Sequence, residues 1–202
     1  MLNKILLLLL LVSPQAASAH IILVVGDSLS AAYGIPVEQG WVALLQDCLE
    51  REAYPYRIVN ASISGDTTAN ARARLDAALA SHEPAVLLLA LGGNDGLRGL
   101  SLAAMKDNLA TMIASAQQAA AKVLLLGVQL PPNYGPRYTQ RFQAIYQELA
   151  REYDLALLPS LVDGIGTESE LMQADGIHPN AAAQPLIRDR IFKALLPLLE
   201  RN

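Results

Sequence analysis

The apolar positions of this chain fall into short continuous runs separated by amphipathic stretches, and that alternation sets the expected fold. Ile21 to Val25 are consecutive apolar, mostly β-branched residues that run into Gly26-Asp27-Ser28. This is the pattern of a strand buried on both faces that stops in a tight turn. Tyr56 to Val59, Val86 to Leu91, Val123 to Val128 and Leu155 to Leu158 predict four further strands. Between them the period changes to that of a helix with one buried face. Trp41, Leu44, Leu45, Cys48 and Leu49 form one such stripe, and Leu102, Met105, Leu109, Met112, Ile113 and Ala116 another. Phe142, Ile145, Tyr146 and Leu149 make a third, and Ile187, Ile191, Leu195 and Leu198 a last one. An Ala/Arg-rich helix to about Ala80 follows the small polar loop from Asn60 to Thr68, with Asp66 or Thr67 as its cap. Repeated strand and helix alternation predicts an α/β fold with one five-stranded parallel sheet and helices on both faces. There is no internal repeat, low-complexity tract or linker, so residues 20–202 are expected to form a single domain.

The polar clusters recur where strands end. Ser28 stands in the first turn, at the edge of a parallel sheet where ligands bind. The same turn is explained by local chemistry alone, since Gly, Asp and Ser all suit turns. Gly92-Gly93-Asn94-Asp95-Gly96 ends the third run. Gln129 to Pro136 holds three prolines and is a rigid loop at the same edge. Of the three histidines, His20 adjoins the N-terminal segment and His82 lies in a connection at the opposite end of the sheet. That leaves His178 as the candidate base, with Asp175 three residues earlier and in reach of one imidazole nitrogen. A capping aspartate beside a surface histidine would read the same way.

The start of the chain adds a compartment. Lys4, the apolar run Ile5 to Val12, then Ser13-Pro14 and the small residues Ala17-Ser18-Ala19 follow the pattern of an export signal, residues 1–19, cleaved after Ala19. Eight apolar residues ended by Ser-Pro are too few for a spanning helix, which needs about 20, so no stable membrane insertion is expected. Of the 15 basic side chains only Lys4 would be lost, leaving 14 against 19 acidic ones and a net charge of −5. Without a basic cluster, nucleic acid and anionic membrane surfaces are unfavourable partners. Cys48 is the sole cysteine and lies on a buried helical stripe, so an exported product would be held by its core rather than by disulfides. There is no paired-histidine motif and no cysteine cluster to hold a metal.

Gly26-Asp27-Ser28-Leu29-Ser30, the lone Gly65, Gly92-Gly93-Asn94-Asp95 and Asp175-Gly176-Ile177-His178 resemble, in order and rough spacing, the four sequence blocks of the SGNH hydrolases, also called GDSL esterases. The resemblance spans the chain from residue 20 onward. Asn60 to Thr67, Gly92 to Gly99, Leu130 to Gly135 and Asp175 to Asn180 are most similar to the branch of bacterial periplasmic acyl-CoA thioesterases that also act as lysophospholipases and arylesterases. That resemblance implies a three-layer α/β/α sandwich of flavodoxin-like strand order. It implies Ser28 as nucleophile, His178 as base, Asp175 as its orienting acid, and the Ser28 amide, Gly65 and Asn94 as oxyanion-hole donors. Asp27 and Asp95 adjoin these blocks and are read as turn and scaffold residues. The implied substrate is a small-molecule acyl ester or thioester, its acyl chain lying in an open crevice walled by Leu130 to Tyr134 and by Gly96 to Gly99. No cofactor and no metal are expected, and the protein is expected to be an exported, periplasmic monomer.

Two other readings remain at this point. The same doubly wound architecture holds FMN beyond its strand ends, although the first turn lacks both G-x-G-x-x-G and G-x-x-x-x-G-K-[ST]. The other is a carbohydrate-ester deacetylase of the same superfamily, which only substrate assays separate from the thioesterase-like branch.

Overall fold

The structure is a computed structural model that describes residues 19–201. The export signal read from residues 1–19 therefore lies, up to residue 18, outside the described residues. Five strands, β1 (His20–Gly26), β2 (Tyr56–Asn60), β3 (Val86–Ala90), β4 (Lys122–Leu126) and β5 (Ala156–Leu158), form one sheet in the order β2-β1-β3-β4-β5. All its pairings are parallel, with Ile22 opposite both Ile58 and Val86. This is the flavodoxin-like order.

Six helices cover the sheet: α1 (Trp41–Arg51), α2 (Thr68–His82), α3 (Gly93–Leu97), α4 (Leu102–Gln118), α5 (Pro136–Glu152) and α6 (Gln184–Leu195). The strand runs are apolar on both faces because both faces are covered. Leu23, Val25, Leu87, Leu89 and Leu125 pack under α2, α4 and α5, against Leu75, Leu109, Ile113, Phe142 and Leu149. Ile22, Val24, Leu88 and Leu124 point the other way, against Trp41, Leu45 and Leu49 of α1 and Ile187 and Ile191 of α6. Each fully buried side chain of this kind contributes about 1.5–3 kcal/mol through removal of apolar surface from water. The three-layer sandwich follows from these two apolar faces. Among the described residues no helix is long and apolar enough to cross a membrane.

The local differences from expectation have specific causes. β4 stops at Leu126, not Val128; the next residue, Gly127, lies directly against the Pro159 carbonyl, where a Cβ would not fit. The first turn of α2 is capped by Thr67, whose Oγ1 accepts the Asn70 N–H at 3.3 Å while Asn70 Oδ1 accepts the Thr67 N–H. Asp66 is engaged elsewhere, in an ion pair with Arg74 at 2.7 Å. His82 is the last residue of α2 rather than part of a loop; the helix ends one residue later, at Glu83 in left-handed conformation ahead of Pro84. The last helix breaks into a 3-10 turn at Leu196–Leu198, where Pro197 removes a donor.

The glycine-rich stretch after β3 differs most. The sequence suggests a loop there, and the chain instead forms the short helix α3. Gly92, at φ 114°, makes the turn into it. Asp95 then anchors it to α2, accepting from Thr68 N–H at 2.9 Å and Thr68 Oγ1–H at 2.6 Å.

Candidate active site

Because every strand runs in the same direction, the β1–α1, β2–α2, β3–α4, β4–α5 and β5–α6 connections meet at one edge of the sheet. Asp27 and Ser28 follow β1, and the turn is held from both sides. The Asp27 carbonyl accepts from Ser30 and Ala31, and Asp27 Oδ1 accepts from the Leu29 N–H at 3.1 Å. Gly26 is required just before it, since a Cβ there would sit 2.6 Å from Ser30 Oγ.

His178 arrives from the far end of the sequence. Its loop is folded back on itself, with the Gln173 N–H donating to the His178 carbonyl at 2.7 Å and Asn180 N–H to Leu171. Buried Gln184 adds a second tether, donating to the Pro179 and Asn180 carbonyls while accepting the Trp41 N–H at the start of α1. The result brings together two residues 150 positions apart: His178 Nε2 lies 2.9 Å from Ser28 Oγ. On its other side His178 Nδ1 lies 2.7 Å from Asp175 Oδ2. Asp175 Oδ1 also accepts the N–H groups of Ile177 and His178, at 2.9 and 3.0 Å.

Electrostatics orders this chain of contacts. Partial burial alone would raise the Asp175 carboxyl. The backbone and ring hydrogen bonds from His178 and the N–H of Ile177 together outweigh it and hold the group at about 2. An ionised carboxylate only accepts, so Nδ1 carries the ring proton and, in a neutral imidazole, Nε2 is left to accept from the Ser28 hydroxyl. That arrangement is able to take a proton from Ser28 Oγ.

The other two predicted residues border the same space. Gly65, at φ 84° in a conformation that favours glycine, leaves its N–H without a protein acceptor among the described residues, and so does Ser28. Unpartnered backbone donors beside a cleft are positioned for a ligand oxygen. Asn94, the second residue of α3, donates from Nδ2 to the Asp66 carbonyl at 3.0 Å and makes a long contact of 3.4 Å to Asp27 Oδ2. Arg98 braces both positions, donating to the Gly65 carbonyl at 2.9 Å and to Asn94 Oδ1 at 3.4 Å. Asp27 itself is 2 % exposed. Its burial raises the carboxyl from 3.8 to about 6, against the opposing pull of the Leu29 N–H and of His178.

A cleft of about 420 Å³ contains Ser28, Gly65, Asn94 and His178 in its wall. A second recess of about 230 Å³, lined by apolar side chains, glycines, Gln129 and Thr167, adjoins it through the shared residues Gly93, Leu97, Gln129, Val162 and Ile177, and continues to Leu130, Pro131 and Pro132. Of the expected crevice walls, Leu97, Leu130, Pro131 and Pro132 do line this space. Asn133, Tyr134, Gly96, Arg98 and Gly99 do not.

Four blocks of the sequence thus converge on one cleft. The profile of the GDSL-like Lipase/Acylhydrolase family matches residues 24–185. The chain belongs to that family. This SGNH hydrolase is 53 % identical over 192 residues to Esterase TesA of Pseudomonas aeruginosa, a match covering 95 % of this chain and 96 % of that one. It is 43 % identical over 196 residues to the Thioesterase 1/protease 1/lysophospholipase L1 of Escherichia coli strain K12, covering 97 % and 93 %. The crystal structure of TesA superimposes with a TM-score of 0.88 at 54 % identity, over 89 % of this chain and all of that one. The SGNH hydrolase described here is thus an enzyme of the esterase and thioesterase class.

Sequence reasoning did not find the bonds of Arg98 or the contact from Asp27 to Asn94. Asp27 was legible only as a turn residue, because its local hydrogen bond to Leu29 accounts for it. Arg98 falls within the Gly92 to Gly99 block, where the sequence marks it only as part of a crevice wall; its bonds to the Gly65 carbonyl and Asn94 Oδ1 depend on partners that the block does not reveal.

Proposed function

We propose that the protein hydrolyses small-molecule acyl esters and thioesters through a Ser28–His178–Asp175 triad and an acyl-enzyme intermediate. The observation that carries this reading is the continuous contact from Asp175 Oδ2 through His178 to Ser28 Oγ, at 2.7 and 2.9 Å. As Oγ attacks the carbonyl carbon, its proton passes to Nε2 and the carbonyl oxygen becomes negative. The N–H groups of Ser28 and Gly65 and the side-chain amide of Asn94 stabilise that charge. Collapse breaks the acyl carbon to oxygen or sulfur bond, and the proton on Nε2 goes to the leaving atom. Water then attacks the acyl-Ser28 ester, gives its proton to Nε2, and the acid departs as Oγ regains a proton.

The apolar recess beyond Leu97 supports an acyl chain lying toward Leu130 and Pro131. Residues 1–19 support export, with residues 20–202 as the single mature domain in the periplasm. The names of the relatives support both oxygen and sulfur esters as substrates. A chain-length series of p-nitrophenyl esters, acyl-CoAs and lysophospholipids tests this reading. Turnover of esters and thioesters by the native chain, abolished in Ser28→Ala, is the expected result. Full activity of Ser28→Ala on all of them overturns it.

A further inference from the structure

Arg98 caps the C-terminal end of α3, and both its backbone and its side chain are tied to residues assigned as oxyanion donors. The backbone N–H donates to the Asn94 carbonyl at 3.1 Å. From the side chain, Nη2 donates to the Gly65 carbonyl at 2.9 Å and makes a longer contact of 3.4 Å to Asn94 Oδ1. The guanidinium lies over Gly65, 3.7 Å from where a Cβ would stand. Among the described residues Arg98 takes part in no ion pair. Its charge is spent instead on two neutral oxygens, one from each donor residue.

We infer that Arg98 is a positioning residue of the oxyanion hole: anchored on the Gly65 carbonyl, its guanidinium fixes which way the Asn94 carboxamide faces and so keeps Nδ2 turned to its task. The inference rests on the role given to Asn94 in the preceding section. A carboxamide presents an oxygen on one side and an NH2 on the other, and only its hydrogen-bond partners decide between the two orientations. On the nitrogen side stands the Asp66 carbonyl at 3.0 Å, which only accepts. On the oxygen side stands a guanidinium, which only donates. Turning the amide over would set oxygen against oxygen and NH2 against a cation, and both bonds would be lost. Without Arg98 the amide is held by the Asp66 carbonyl and the 3.4 Å contact to Asp27 Oδ2 alone, and both of these act on the nitrogen. A donor already aligned costs no reorganisation as charge develops, so the constraint acts on turnover rather than on substrate binding. The Arg98 side chain is exposed, and its removal opens no cavity in the core.

The experiment is a double-mutant cycle on p-nitrophenyl butyrate with the native enzyme, Arg98→Met, Asn94→Ala and the double variant. Methionine keeps most of the stem and removes the charge and the donors. Arg98→Met should lower kcat roughly 3- to 10-fold, within the worth of one hydrogen bond, and move KM by less than about 2-fold. In the Asn94→Ala background the same substitution should lower kcat by less than about 2-fold, because the group it orients is gone. A structural role, or a charge acting on the oxyanion directly, would cost the same in both backgrounds. An unchanged kcat in Arg98→Met, an equal loss in the two backgrounds, or a loss carried by KM overturns the inference. If Arg98→Met fails to fold, Arg98→Gln, neutral and shorter, goes through the same cycle with the same expected and contrary results. Failure of the Asn94 assignment itself would look different, since Asn94→Ala alone would then keep the native kcat, a result that overturns both.

Discussion

Asp175 holds His178 from three residues away with both of its oxygens: Oδ2 faces the ring at 2.7 Å, and Oδ1 accepts the His178 backbone N–H at 3.0 Å. The same carboxylate thus shapes the loop and orients the imidazole, while the imidazole alone contacts Ser28.

The roles divide accordingly, and so should the losses. His178→Ala removes the group that moves the proton, and kcat should drop about 10⁶-fold by analogy with triads of this kind; Asp175→Ala should cost nearer 10⁴-fold. Steady-state kinetics on folded variants checks the order. Equal inactivity of the two, with circular dichroism unchanged, would contradict it.

Asn94 is assigned a role in the transition state, where its amide meets charge that the ground state lacks. Asn94→Ala should lower kcat roughly 10²–10³-fold with KM moving far less. Because Nδ2 also ties α3 to the Asp66 carbonyl, a thermal melt belongs beside the kinetics. A lowered melting temperature with normal kcat would make Asn94 a turn residue only.

Asp27 predicts a pH dependence of stability. Its carboxyl titrates near 3.8 when unfolded and is raised to about 6 in the fold by burial. Between those values the unfolded chain has lost a proton that the folded chain keeps, so this group's contribution falls as pH rises from 4 to 6 and stays low above. The full swing is about 3 kcal/mol from a shift of roughly two units. Asp27→Asn removes it. The stability of Asp27→Asn relative to the native protein should therefore rise between pH 4 and pH 7, as read by urea titration at each pH. Asp175, held low at about 2, behaves oppositely in both proteins and cancels in the difference. A difference independent of pH would contradict the assignment.

Export predicts a mature protein beginning at His20, because small residues precede it and the apolar run Ile5 to Val12 is short. N-terminal sequencing of the periplasmic fraction checks this. A membrane-bound form retaining Met1 is the contrary result.

Much of this was legible in the sequence, and the reason differs by part. β1, β3 and β4 were readable because their runs are buried on both faces, so an unbroken apolar stretch carries the signal; the edge strands β2, interrupted by Arg57, and β5 are only partly buried and carry a weaker one. Ser28, Gly65, Asn94, Asp175 and His178 were singled out by their resemblance to the blocks of a known family; Ser28, Gly65, Asn94 and His178 border one cleft, with Asp175 behind His178. Helix α3 was not legible, since Gly93-Asn94-Asp95-Gly96 has weak helix propensity and forms only because Asp95 is fixed by Thr68, 27 positions away. The hydrogen bond from Gln173 to the Tyr33 carbonyl was hidden for the same reason. Its two ends lie 140 positions apart, where no local periodicity reaches.

The central claim is that Ser28 is the nucleophile, and covalent labelling tests it most directly. A serine-directed phosphonate with a p-nitrophenyl leaving group should inactivate the native enzyme while adding one phosphonyl group, located by mass spectrometry of the digested protein at Ser28. Ser28→Ala should take no label and have no activity. Inactivation with the label on any other residue, or an active Ser28→Ala, would contradict the account.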